Sequence, residues 1–327
     1  AGLKAASSLI LPLLFSLFLT LVSLPLLNWL RTLKIPKGLA VLLTLCIVIF
    51  LLVLMLSLVA GSISGFTQSL PHYQELLTGK IAGLLERVET MGIKVPDEIT
   101  YDWINPSAAL DWVAVALLTV TSVLSNLVMV LLTIAFLLLE AAGFPDKLQA
   151  AFGRPENAAR VSRIRTEVGR YLAIKTSISI VTGILVTVAL WILGVDFPLL
   201  WGLLAFLANY IPTLGSIIAA IPPILLALIQ LGWGHALAVG VLFLLINLVL
   251  GNMVEPHLLG RRLGISTLVV FLSLVFWGWV WGPPGMFLSV PLTIILKIML
   301  ENTQDFRWIA VLLDSDPKTV PRPNSAS

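Results

Sequence analysis

The chain has 327 residues, of which 58% are hydrophobic and 11% charged, with a mean hydropathy of +1.02. Soluble domains carry roughly a quarter charged residues, so this composition excludes a water-soluble globular protein and makes lipid the main solvent. The net charge of +3 is small; the one cysteine, Cys46, stands in an apolar run, and His72, His235 and His257 share no ligand spacing, which excludes a disulfide framework and a metal centre and leaves no cofactor expected.

Leu9–Leu30 is the first apolar run, preceded by Lys4. It is longer than a signal-peptide core and lacks a small-residue cleavage site, so it is expected to span the bilayer. Gly38–Ala60 is the second run, and together residues 1–60 form an N-terminal transmembrane hairpin. The turn between them holds Arg31, Lys34 and Lys37 with no acid, which places it on the cytoplasmic side. Residues 61–111 carry Lys80, Arg87 and Lys94 against seven acidic residues, as an outward-facing segment does. Tyr73, Leu76, Leu77, Ile81, Leu84, Leu85, Val88 and Met91 recur there at helical spacing, so a small extracytoplasmic helical cap is predicted.

Trp112–Leu139 returns the chain inward as a third span, and residues 112–194 are read as transmembrane helices with a cytoplasmic amphipathic helix, 141–170, between them. Val161, Ile164, Val168 and Leu172 form its apolar stripe, with arginines elsewhere, as expected of a helix lying on the inner membrane surface. Headgroups and topogenesis account for these arginines, so no nucleic-acid partner is predicted. Tyr171–Gly194 is the fourth span. Lys175, Ser179 and Thr182 stand at i, i+4 and i+7 on one face, which must meet protein or water rather than lipid.

Residues 195–300 are the predicted transport region. Residues 197–234 hold no Asp, Glu, Lys or Arg, yet are interrupted at Pro212-Thr213-Leu214-Gly215-Ser216. The arm Pro198–Ile211 measures about 21 Å and Ser216–Leu231 about 24 Å at 1.5 Å per residue, short of the roughly 30 Å hydrocarbon core. This pattern predicts a re-entrant hairpin from the outer face. Gly234–Gly251 then crosses inward and delivers Arg261 and Arg262 to the cytoplasm. Residues 263–296 break again at Gly282-Pro283-Pro284-Gly285, with arms Ser266–Trp281 of about 24 Å and Met286–Lys297 of about 18 Å. They predict a second hairpin, from the inner face. Residues 301–327 form a cytoplasmic tail.

The predicted fold is therefore an all-α integral membrane protein, a polytopic helical bundle with two opposed re-entrant hairpins and the outer cap. Irregular backbone at membrane depth is tolerated only beside protein or a water-filled cavity, and transporters build midplane sites from such broken helices. The hairpins and their link offer Asn209, Tyr210, Thr213, Ser216, Asn252, Ser273 and Trp277 as solute-binding residues: neutral donors and acceptors that suit a neutral, hydroxyl-rich solute. Trp277 and Trp281 share a helix face; Trp279 and Trp281 read as interfacial anchors. Glu255 is the one carboxylate near the hairpins, expected to pair with Arg261 or Arg262. With Arg261 and the break residues Pro212, Gly215, Pro283 and Pro284, it forms the predicted coupling and gating group.

The runs Trp201–Phe206, Asn209–Pro212, Ala219–Pro223, Gly251-Asn252, Glu255-Pro256, Gly260-Arg261, Ser266–Leu274, Phe276–Trp279 and Ser289–Thr293 resemble the autoinducer-2 exporter family. The likeness covers residues 5–314 and is strongest from Lys175 onward. It implies a secondary transporter exporting the small hydroxylated quorum-sensing signal autoinducer-2 across the bacterial inner membrane, working among lipids as a homo-oligomer, a pentamer. The family has one more span before Leu9, so a preceding helix is implied, and His257 and Arg262 depart from close relatives. Some family members are sodium(lithium)/proton antiporters. That alternative is disfavoured here by the lack of midplane carboxylates beyond Glu255. An enzyme is not expected, since His235 and His257 lie at helix ends, away from any membrane-embedded serine. The residues alone fit a carrier or a passive channel.

Overall fold

Lipid offers no partner to a backbone N–H or C=O, so an apolar chain must satisfy these groups internally, as a helix does. A computed structural model of the chain describes residues 6–91, 127–141, 155–259, 265–301 and 307–313, and among them every regular element is helical. In chain order these are α1 (Ser7–Thr32), α2 (Lys37–Thr90), α3 (Leu127–Ala141), α4 (Pro155–Ile192), α5 (Pro198–Ala208), α6 (Leu214–Gln230) and α7 (Trp233–Ile246). A π-helical segment (Asn247–Val254) continues α7 into α8 (Glu255–Leu259), followed by α9 (Thr267–Trp281), α10 (Pro283–Glu301) and α11 (Arg307–Leu313). Among the described residues, five stretches are long and apolar enough to cross a bilayer: Ile10–Thr32, Lys37–Lys80, Thr166–Ile192, Trp233–Leu259 and Pro283–Glu301.

Two spans are longer than the sequence suggested. The second was expected to end at Ala60, with a separate cap helix beyond it. Instead α2 runs unbroken for 54 residues, about 80 Å. The charge that begins after Ala60 changes the solvent the helix prefers, and nothing there removes enough backbone hydrogen bonds to end it; Pro71 sits inside the helix. Likewise residues 155–170 form no separate surface helix but the first half of α4, which continues through the fourth span. The rest of the cap, the first half of the third span and residues 142–154 lie outside the described residues.

α4 is the axis of the bundle and packs against α1, α5, α7, α8 and α10. Its closest neighbour is α5. A Cβ placed on Gly202 would overlap the Thr187 hydroxyl and lie 2.7 Å from the Gly183 carbonyl oxygen, so only glycine lets the two backbones approach this closely. Beyond this contact one core cluster joins Phe66 of α2, Leu190 of α4, Trp201 of α5 and Leu226 of α6. A second joins Phe18 of α1 and Leu172 of α4 to Ile294 of α10. At one end of the first cluster, Tyr73 donates to Asp196 Oδ2 at 2.7 Å and Trp201 Nε1 donates to the Asp196 carbonyl at 3.0 Å.

Both predicted breaks separate helices. α5 and α6 are joined through Asn209–Thr213, with Thr213 at φ 57°, and α9 and α10 through Gly282 at φ 67°. The two turns are built alike. A Cβ on Gly215 would overlap the carbonyl of Ala208, and one on Gly285 the carbonyl of Trp277, so each second arm opens against the backbone of the first. The arms differ from expectation on one side: α10 has 19 residues and reaches about 29 Å, enough for a span.

Candidate functional site

Several polar side chains of the described residues meet on the α4 face read from Lys175, Ser179 and Thr182. Lys175 Nζ donates to both carboxylate oxygens of Glu255 at 2.8 Å, and the two side chains are 5% and 15% exposed. A charge at the centre of a membrane helix costs about 2.5–3.5 kcal/mol on insertion scales; bidentate pairing offsets that cost for both ions at once. Tyr210 donates its hydroxyl to the next residue of α4, Thr176, at 2.8 Å, and one turn along from Lys175, Asn209 Nδ2 donates to Ser179 Oγ at 2.9 Å. The first break of the transport region is thus hydrogen-bonded to α4, next to the ion pair.

Beyond these contacts lies a narrow cleft between α4, α5, α6, α7 and the π segment. Its polar lining is Thr182, Asn209, Ser216 and Asn247, and no charged residue faces it. In this conformation it admits about one water molecule. The π segment shapes its wall. Asn247 and Gly251 line the cleft and Glu255, four residues on, meets Lys175. The three stand at four-residue steps and so lie close to one side of the segment, the side that meets α4.

The residues named from sequence part company here. Asn209 and Ser216 line the cleft, the latter donating to the Thr213 carbonyl at 3.1 Å. Tyr210 is buried among the rings of Phe18, Phe206 and Phe287. Thr213 is exposed and bonds the Pro212 carbonyl, and Asn252, in the π segment, is exposed and does not line the cleft. Ser273 bonds within α9, to the Val270 carbonyl. Trp277 stacks on Trp281 at 4.9 Å and donates to Thr293 Oγ1 at 3.4 Å, so its indole is occupied inside the second hairpin. Trp281 is buried rather than an interfacial anchor, while Trp279 is 69% exposed. Pro212, Gly215, Pro283 and Pro284 stand at the two breaks as read.

Glu255 was expected to pair with an inner-loop arginine; its partner is Lys175, while Arg261 and Arg262 lie outside the described residues. The signal was present in the sequence: each is a lone charge in an apolar stretch, and opposite lone charges at membrane depth stabilise one another. Thr182 stood out in the sequence only as part of the polar α4 face, and Asn247 only as a polar residue between the hairpins; neither was marked there as a binding residue.

The family described as "AI-2E family transporter" matches residues 1–305. The chain is 42% identical over 313 residues to "AI-2 transport protein TqsA" of Escherichia coli (strain K12), covering 95% of this chain and 91% of that protein. Two further relatives have names that state no substrate. YhhT of the same strain is 34% identical, over 96% of this chain and 90% of its own length. A protein of Haemophilus influenzae (strain ATCC 51907 / DSM 11121 / KW20 / Rd) is 37% identical, over 96% and 92%. With its apolar helices and its uncharged cleft beside a buried ion pair, the chain belongs to the AI-2E transporter family and is a multi-pass membrane transport protein.

Proposed function

We propose that this protein is a secondary transporter that exports autoinducer-2 across the bacterial inner membrane. The observation that carries the reading is the cleft itself: neutral amides and hydroxyls at a broken helix, with Glu255 one turn from Gly251 and its partner Lys175 two turns from Thr182. Neutral donors and acceptors suit a small hydroxylated solute, and the E. coli relative named for AI-2 transport supports that solute. The break between α5 and α6, whose arms measure about 17 and 26 Å, then acts as a re-entrant turn from the outer face. In the second hairpin α9 is short, about 23 Å, and α10 is long enough to cross; the outer half of α2 takes the place of the cap on the external side. The working unit is a homo-oligomer, a pentamer, whose contacts draw on the exposed apolar face of α2 that includes Leu39, Leu42 and Phe50.

Purified protein in proteoliposomes tests this directly. Autoinducer-2 loaded inside should leave protein-containing vesicles at least tenfold faster than empty ones, and equal rates reject the solute. A sodium(lithium)/proton antiporter is the competing member of the family; both Glu255 oxygens accept from Lys175, so a cation would have to compete with that ammonium for the carboxylate.

A further inference from the structure

We propose that Asn247 on the π segment and Thr182 on α4 are the residues that recognise the solute's hydroxyl groups, and so set specificity; this rests on the transport reading above. Four polar side chains line the cleft, and two of them are already used. Asn209 gives its amide N–H to Ser179, and Ser216 gives its hydroxyl to a backbone carbonyl. Among the described residues Asn247 and Thr182 make no side-chain hydrogen bond; both line the cleft, and neither is a fully buried orphan. A polar group in an apolar surrounding without a partner is costly. Their arrangement is therefore stable when something in the cleft completes it.

The local backbone favours the same role. Asn247 is the first residue of the π segment, and π turns inside helices occur frequently at functional sites. Gly251 stands four residues on, and a Cβ there would come 2.9 Å from Asn247 Oδ1, so glycine leaves the amide its room. An amide presents a donor and an acceptor side by side, and the threonine hydroxyl opposite does both. With no ionic group in the lining, the set fits a compact, uncharged solute carrying adjacent hydroxyls. The apolar side chains that make up the rest of the lining, Val186, Phe243 and Leu250 among them, suit the carbon skeleton of such a solute, and the set does not fit an ion.

A site built to hydrogen-bond a hydroxyl rejects the analogue that lacks it far more strongly than an apolar pocket would. The test compares flux of autoinducer-2 and of an analogue lacking one ring hydroxyl through wild-type protein, Asn247→Leu, Thr182→Val and Gly251→Ala. The wild type should prefer the signal. Asn247→Leu should lower its flux at least tenfold and shrink the preference toward unity, with a smaller loss for Thr182→Val and an intermediate one for Gly251→Ala. Wild-type preference retained in Asn247→Leu overturns the assignment and leaves the transport reading standing. If wild-type protein carries no autoinducer-2, the transport reading fails and the cleft is judged by labelling. In a Cys46→Ser background, Thr182→Cys and Asn247→Cys should react with a small water-soluble thiol reagent at least tenfold faster than Leu237→Cys on the exposed apolar face of α7. Failure of both to react overturns the cleft as an aqueous site.

Discussion

Lys175 and Glu255 are 80 residues apart in the chain and form one electrostatic unit in the fold. A buried pair adds little net stability over well-packed apolar residues, whereas removing one partner strands a charge at a cost of about 3–5 kcal/mol. Lys175→Met and Glu255→Leu should therefore each destabilise the protein by that order. The double variant should recover most of the loss, as measured by thermal unfolding in detergent. Additive losses would show that each residue is held by other contacts. At this scale the sequence was informative about which helix face is polar and less so about who meets whom. The spacing of Lys175, Ser179 and Thr182 identified the face, because periodicity is local. The partners Glu255 and Asn209 depend on how helices cross, which no local pattern encodes. Asn252 and Ser273 were named for their polarity alone; the structure turns one outward and satisfies the other within its own helix.

Helices were legible where apolar runs are long, and their ends were not. The long α2 escaped because a boundary between lipid and water looks like a helix boundary in composition. The π segment escaped because Asn-Leu-Val-Leu-Gly-Asn-Met-Val reads as ordinary apolar helix. The breaks, in contrast, were visible as Pro/Gly punctuation, since proline and glycine act on backbone geometry directly. The α4–α5 contact supplies the test at this scale. Gly202→Ala should strongly destabilise the protein, by several kcal/mol if the helices cannot part, read as lost folded yield and a lowered melting temperature. Thr187→Ala in the same chain should give little rescue. It removes the hydroxyl, yet the Gly183 carbonyl still lies 2.7 Å from the new methyl group. Full rescue would place the constraint in the side chain alone.

On the scale of the whole molecule, α4 gathers the contacts of α1, α5, α7, α8 and α10, so the site is assembled on one axial helix from segments spread over most of the chain. The ion pair at its centre has an electrical consequence. A full elementary charge crossing the membrane field gains or loses about 2.3 kcal/mol per 100 mV, enough to change a rate roughly fortyfold. Lys175 and Glu255 sum to zero, so a rearrangement that carries them together does no work against the membrane potential. Flux of an uncharged solute through wild-type protein should then be the same at zero and at 100 mV imposed by a potassium gradient with an ionophore. Glu255→Gln leaves the ammonium of Lys175 unbalanced on the moving part, and its flux should vary with the imposed voltage. A voltage response in the wild type itself would mean that the two charges separate during the cycle, and that the protein draws on the electrical gradient as well as on the concentration of its solute.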